Sequence, residues 1–298
     1  MSINLNLEKK IITLVESFNK GLFDDVLHDA LNIYQNNKNI PILPNLIGAS
    51  YAGINNHKKA IFYYNQALKL DSKNAELFNN LGKSQLQLNS LDEALSSFLN
   101  SKNIDKNNYD TLLNIGLIYY EKKSYEEALE NYFNAIKINN KFDKLYYNTA
   151  LVLSKLGRKK EAIKYFELTL KINNKHIKAL NNLATEHING SRYDQALNYL
   201  NQAIESEPFY AKAYNNLGII YLKKKNFDLA LRNFSRAYDI DNNLAIAGIQ
   251  KHFIKRTFCD WSNKDELDLI LKKSLESNQQ ISPWFCLSFE DNARNHYT

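Results

Sequence analysis

Five asparagines in this 298-residue sequence recur at a constant interval of 34 residues: Asn80, Asn114, Asn148, Asn182 and Asn216. An asparagine amide carries both hydrogen-bond donors and an acceptor. A row of such amides can therefore form hydrogen bonds with the backbone N–H and C=O groups of an extended peptide, whatever its side chains are. The competing interpretation is that the same amides bond within the protein. The series thus predicts a row of peptide-binding amides, here called the ladder, provided that these amides do not form hydrogen bonds within the protein.

Charged residues repeat with the same interval. Four residues before each ladder position the side chain changes from acidic to basic along the chain, in the order Glu76, Asp110, Lys144, Lys178 and Lys212. Three residues after it stand Lys83, Leu117, Leu151, Thr185 and Ile219. We predict that Lys83, Lys144, Lys178 and Lys212 share one helix face with the asparagines. Such a gradient would orient a charged peptide by its ends, although five surface charges can also fall in this order by chance.

Residue types that do covalent or metal chemistry are sparse. The two cysteines, Cys259 and Cys286, are far apart, and no histidine near Cys259 in sequence offers a base. Core packing is the simpler role for Cys259 and for Trp261. The six histidines, at positions 28, 57, 176, 187, 252 and 296, show no metal-ligand spacing. We therefore predict no catalytic residue, metal or cofactor, and we favour a non-catalytic chain.

The net charge of +6 raises the question of nucleic-acid binding. The basic turns at 122–123 and 223–225 are interspersed with acidic residues such as Asp92, Glu126 and Asp228, so we predict no nucleic-acid partner. No run of about 18 apolar residues is present, which predicts no membrane-spanning helix. Residues 1–10 lack a basic start followed by an apolar stretch, so no secretory signal is expected. These features favour a cytoplasmic protein.

The elements that position the ladder follow from further series with the same interval. Small residues stand at Gly82, Gly116, Ala150, Ala184 and Gly218, alanines at Ala94, Ala128, Ala162, Ala196 and Ala230, and large apolar residues at Phe98, Tyr132, Phe166, Leu200 and Phe234. After an N-terminal tail at 1–6, seven units fit without a gap: 7–40, 41–74, 75–108, 109–142, 143–176, 177–210 and 211–244. Within the third unit, the patterns predict one helix at 75–88 and a second at 91–104. The prediction is an all-α fold of stacked helix pairs.

These positions resemble the tetratricopeptide repeat (TPR) family. The unit at 211–244 carries its pattern as Tyr214, Leu217, Gly218, Tyr221, Ala230, Phe234 and Ala237. The first unit departs from it with Leu14 and Val26 where small residues are expected, and only Pro208 supplies the terminal proline. The resemblance implies a right-handed superhelix whose first helices line a concave surface. It also implies a scaffold that binds a protein or an extended peptide.

Residues 245–298 form a different region, which begins like the first helix of an eighth unit. Cys259-Asp260-Trp261 and the later Ser282-Pro283-Trp284-Phe285 resemble the junction of bacterial O-linked N-acetylglucosamine transferase-like (Spindly-type) proteins. That family places a two-lobed glycosyltransferase domain after this junction, at about the place where this sequence stops. The resemblance implies a substrate-recognition arm with a glycosyltransferase domain or neighbour. The alternatives are one part of a split or truncated transferase and a standalone assembly adaptor.

The same region contains apolar residues that require cover. Leu267, Ile270, Leu271 and Leu275 have the spacing of an amphipathic helix, and Trp261 and Trp284 flank it. We predict that residues 245–298 form a helical cap on the open end of the last repeat. A patch left exposed on this cap would produce weak self-association through the C-terminal end.

Overall fold

The computed structural model describes residues 5–258 and 264–276, and every element of regular structure in these ranges is an α-helix. The all-α fold expected from the repeats is therefore confirmed for this part of the chain. The helices form two compact units, Met1–Arg158 and Lys159–Thr298. Residues Cys259, Trp261, Leu275 and Trp284 of the predicted junction lie outside the residues whose side chains are described.

The helices of the two units have the following bounds, and the first begins at Leu5, within the predicted N-terminal tail at 1–6. In the N-terminal unit they are α1 Leu5–Asn19, α2 Phe23–Asn36, α3 Ile42–Gly53, α4 His57–Leu70, α5 Ala75–Gln87, α6 Leu91–Ile104, α7 Tyr109–Glu121, α8 Tyr125–Ile138 and α9 Asp143–Lys155. In the C-terminal unit they are α10 Lys159–Ile172, α11 Ile177–Asn189, α12 Tyr193–Ser206, α13 Ala211–Lys223, α14 Phe227–Ile240, α15 Ala245–Thr257 and α16 Lys264–Glu276. Within each unit, every helix packs on the next one along the chain. The first helices of neighbouring pairs also touch, as α1 does with α3 and α3 with α5.

Close packing within a pair depends on a glycine that faces an aromatic ring. A Cβ atom built on Gly82 would lie 2.9 Å from the ring of Phe98, and one on Gly218 would lie 2.7 Å from the ring of Phe234. The same construction at Gly116 would overlap the ring of Tyr132. The repeated alanines of the second helices, from Ala94 to Ala230, are fully buried. The expectation that small residues allow the helices to approach and that the aromatic fills the groove is therefore confirmed at these glycine–aromatic pairs.

The turn inside each pair has one residue in the left-handed region of backbone space. The seven positions, again 34 residues apart, are Gly21, Asn55, Asn89, Lys123, Gly157, Ser191 and Lys225, with φ between 58° and 78°. Glycine adopts this conformation without a steric penalty, whereas a Cβ atom makes it costly. Two repeats use glycine here, two use asparagine, and the remaining three carry lysine or serine under strain.

Replacing Lys123 by glycine should raise the free energy of unfolding by about 1 kcal/mol, because it removes this backbone strain. The adjacent Lys122 is the matched control, since its φ is −76° and its ammonium group pairs with Asp92. Lys122→Gly should lower the free energy of unfolding by up to about 1 kcal/mol, because it removes the ion pair and makes the unfolded chain more flexible. Denaturant unfolding of the two variants measures both effects. Equal destabilisation by both would contradict the strain argument.

The C-terminal end departs from the repeat pattern at His252, which stands where earlier first helices carry glycine or alanine and is 2% exposed. Its Nε2 atom lies 3.4 Å from the carboxylate of Glu266 on α16. Leu267, Ile270 and Leu271 of α16 are buried with Ile249 of α15. Burial lowers the pKa of His252, while the nearby Glu266 opposes that shift. In its described part, the region after the last repeat thus packs as helices on the preceding pair.

Candidate functional site

A long groove runs across the first helices of the N-terminal unit. It has a volume of about 800 Å³ and is lined by α1, α3, α5 and α7, with additional side chains from the start of α4 and from Tyr64. Its lining repeats the same positions of successive units: Ile42 and Glu76, then Leu46, Asn80 and Asn114, then Val15, Ala49 and Lys83. These positions share one face of each helix because side chains three and four residues apart lie on the same side. The groove is therefore built by the repeat pattern itself.

The two halves of the groove differ in polarity. Helices α1 and α3 contribute Val15, Phe18, Ile42 and Leu46 to a mainly apolar half, whose polar side chains are Asn19 and Asn45. Helices α5 and α7 contribute Glu76, Asn80, Lys83, Ser84 and Asn114, which form a polar half. A segment that fills this groove can bury apolar groups against Ile42 and Leu46 and can form hydrogen bonds in both halves.

Three buried polar atoms in the groove have no hydrogen-bond partner in the protein. They are Oδ1 of Asn45, Nδ1 of His57 and Nδ2 of Asn114, and all three residues belong to the lining. Asn114 is only 8% exposed. A buried polar group without a partner is costly, and most such groups in proteins are paired. Three such groups in one groove make it the candidate site, and the other buried atoms of the described residues that lack a hydrogen-bond partner lie on His187, Asn215, His252 and Asp268.

The charges in the groove are partly compensated. The Lys83 ammonium lies 2.5 Å from Asp110, whose carboxylate also accepts a hydrogen bond of 2.9 Å from Nδ2 of Asn79. No ion pair is described for the exposed carboxylate of Glu76. Burial raises the pKa of the Tyr64 hydroxyl, and the negative charge of Glu76 raises it further. The phenol of Tyr64 thus remains neutral, while Glu76 supplies the uncompensated charge.

Comparison with known proteins agrees with the repeat geometry. Patterns described as tetratricopeptide repeat match residues 181–245 and 143–176, and a pattern described as TPR repeat matches 48–89 and 116–157. Together these matches span more than half of the chain. The chain is a tetratricopeptide repeat protein. No curated protein matches it significantly over its sequence.

Solved TPR structures share the fold. YrrB, described as a TPR protein with an unusual peptide-binding site, is 24% identical, with a TM-score of 0.53 over 62% of this chain and 95% of its own. MamA is 25% identical, with a TM-score of 0.52 over 56% of this chain and 97% of its own. PilF from Pseudomonas aeruginosa is 18% identical, with a TM-score of 0.63 over 73% of this chain and 97% of its own.

The five asparagines of the predicted ladder differ in their surroundings. Asn80 and Asn114 line the groove of the N-terminal unit. Asn148 is half-buried on α9, and Asn182 is half-buried on α11 and already has a partner within the protein. Asn216 is also engaged, because its Nδ2 atom donates to Oδ1 of Asn181 at 2.8 Å and to Oγ1 of Thr185 at 3.2 Å. The continuous row of free amides expected from the sequence is thus interrupted in the C-terminal unit by internal hydrogen bonds.

The four predicted lysines also differ in their surroundings. Lys83 lines the groove but is paired with Asp110. The Lys144 ammonium lies 5.9 Å from the centre of the Phe142 ring. Lys178 and Lys212 are exposed on α11 and α13. On the turn edge, Lys224 pairs with Asp194 of the preceding repeat at 2.9 Å, so acidic residues partly compensate the basic turns.

Sequence reasoning missed Asn45 and His57. Asn45 comes one residue before the ladder position, and its equivalents include Leu113 and Tyr147, so no regular series marks it. His57 begins α4 at the recurring position where other second helices begin with Leu91, Tyr125 or Phe227, so only the structure reveals that it reaches the groove. Within the described residues, no cluster of three histidine, cysteine or acidic side chains could hold a metal ion. None of their helices has the length and apolar character that crossing a bilayer requires.

Proposed function

We propose that this TPR chain is a protein-binding scaffold that holds an extended segment of a partner protein in the groove of its N-terminal unit. The observation that carries the proposal is the set of three unpaired buried atoms on Asn45, His57 and Asn114. Asn45 offers an acceptor and Asn114 a donor, while the histidine nitrogen serves as either according to its tautomer. An extended backbone carries N–H and C=O groups in alternation and satisfies both kinds of atom.

The free energy of these unpaired atoms favours an occupied groove. Leaving a buried donor or acceptor without a partner costs about 1–3 kcal/mol. A peptide backbone that pairs with them recovers part of this cost on binding, in addition to the apolar area that it buries on α1 and α3. The peptide-binding site named for YrrB provides a precedent for this activity on the same fold.

A phage-displayed library of random peptides, selected on the whole chain, tests the proposal. The best selected peptide, synthesised with a fluorescent label, should bind the Asn114→Leu variant about tenfold more weakly than the unaltered chain, because one hydrogen bond is lost. Fluorescence polarisation measures the affinity. Asn216→Leu is the matched control, since it removes an equivalent amide from the C-terminal unit, and it should leave the affinity unchanged. Failure to select any peptide, or equal binding by the Asn114 variant, would refute the groove as the site.

A link to protein glycosylation is a second and finer proposal. It depends on the resemblance of Cys259-Asp260-Trp261 and Pro283-Trp284 to the junction of O-linked N-acetylglucosamine transferase-like proteins, and these residues lie outside the described ranges. We propose that the groove then selects substrates for a transferase domain in a cytoplasmic complex. A reading frame for such a domain, continuing from or next to the codon of Thr298, would support this link. Turnover of a nucleotide sugar by the purified chain alone would instead show that the chain is itself an enzyme.

A further inference from the structure

We infer that the segment held in the N-terminal groove combines an apolar side chain with a basic side chain a few residues away. This inference depends on the proposed function, since it specifies the chemistry of the partner in the same groove. It is carried by the division of the groove into an apolar half and a half that contains one uncompensated carboxylate. Neither feature is a general consequence of the TPR pattern, because both depend on the particular residues of repeats one to four.

The apolar half provides an anchor for a large aliphatic or aromatic side chain. Phe18 of α1 and Leu46 of α3 form it together with Ile42, which is 41% exposed. The equivalents of Ile42 and Leu46 in the next repeat are Glu76 and Asn80, so the apolar surface ends at α5. A partner side chain that covers Ile42 removes apolar surface of both molecules from water, which is favourable in proportion to the area buried.

The charge of the polar half selects against acidic partners. The titratable side chains that line the groove are His57, Tyr64, Glu76 and Lys83, and the Tyr64 hydroxyl stays neutral. Lys83 is compensated by Asp110, which leaves the carboxylate of Glu76 for the partner. A lysine or arginine of the partner pairs with this carboxylate, whereas an acidic side chain meets repulsion, and specificity arises from both effects. The net charge of +6 therefore does not determine which peptide the groove prefers.

The spacing between the two anchors follows from helix and strand geometry. Ile42 and Glu76 occupy the same position of neighbouring repeats, on α3 and α5, which are in contact. Packed helices lie about 8–10 Å apart and an extended chain advances about 3.3 Å per residue, so roughly three residues span the distance. We therefore expect the apolar and basic residues about two to four positions apart in the bound segment, with the backbone between them near Asn80.

The same library of phage-displayed random peptides tests this inference when it is selected in parallel on the unaltered chain and on Glu76→Gln. The unaltered chain should enrich peptides with a lysine or arginine about two to four positions from a large apolar residue. The Glu76→Gln variant should lose the basic preference and keep the apolar one. For the best peptide, the variant and a lysine-to-glutamine change in the peptide should each weaken binding up to about fivefold, and the two changes together should cost no more than either alone.

The outcomes separate this inference from the proposed function. Peptides that depend on Asn114 but show acidic enrichment, or no charge preference, would overturn the inference and leave the groove as a binding site. The inference is also overturned if the loss of affinity from Glu76→Gln and the loss from the lysine-to-glutamine change in the peptide simply add. The two groups would then not be in contact. The absence of any peptide whose binding depends on Asn114 would overturn both proposals. Glu76 is exposed, so its replacement by glutamine should leave folding intact, which circular dichroism checks.

Discussion

Replacing Gly116 by leucine is expected to lower the free energy of unfolding by about 1–3 kcal/mol or more, because it overpacks the closest contact within a helix pair. Even a Cβ atom at this position would overlap the ring of Tyr132, which is 1% exposed and surrounded by other helices. The ring therefore has no open space into which it can move, and the two helices α7 and α8 must separate instead. Denaturant unfolding measures the loss.

The matched control for this substitution is Gly190→Leu. Gly190 is the C-cap that follows α11, is exposed, and has its nearest neighbouring atom, on the Arg192 side chain, 3.4 Å from a constructed Cβ. We expect a change within about 0.5 kcal/mol there. Because repeats interact mainly with their neighbours, hydrogen exchange in the Gly116→Leu variant should rise first in α7 and α8 and the helices beside them. An equal rise at both ends of the chain would contradict this picture.

The repeat architecture was predictable because each packing position recurs along the sequence. Glycine opposite an aromatic ring and alanine at the helix crossing respond to the same local geometry, so their interval of 34 residues reveals the helix pairs. The left-handed turn residue recurs at this interval too, but its residue type varies and only the structure reveals it. The polar groove is different. Its properties depend on which side chains of one repeat contact those of the next, and a single periodic series does not show these contacts.

Asn114 and Asn216 illustrate this limit, since they occupy the same position of the repeat. Asn216 meets the acceptors of Asn181 and Thr185 on the preceding first helix. The corresponding residues on the first helix before Asn114, α5, are Asn79 and Lys83. Oδ1 of Asn79 accepts a hydrogen bond from Thr111, and Lys83 is itself a donor. Nδ2 of Asn114 has no hydrogen-bond partner in the protein, which the asparagine series alone could not reveal.

This difference predicts opposite effects on stability for the same substitution. Asn114→Leu should leave the free energy of unfolding unchanged or raise it by about 1 kcal/mol, because an unpaired buried donor is replaced by an apolar group of similar shape. Asn216→Leu should lower it by about 1–3 kcal/mol, because it removes two hydrogen bonds and leaves the buried Oδ1 of Asn181 without that donor. Urea unfolding of both variants, with the unaltered chain as reference, measures the difference.

The opposite signs connect stability to function. A residue retained for packing should destabilise the chain when it is lost, whereas a residue retained for binding can cost stability in the free protein. If Asn114→Leu folds at least as stably as the unaltered chain but binds the selected peptide more weakly, the unpaired amide is a binding group. If Asn114→Leu instead loses as much stability as Asn216→Leu, the amide of Asn114 has an internal structural role. The unpaired amide of Asn114 would then no longer support the groove as a binding site.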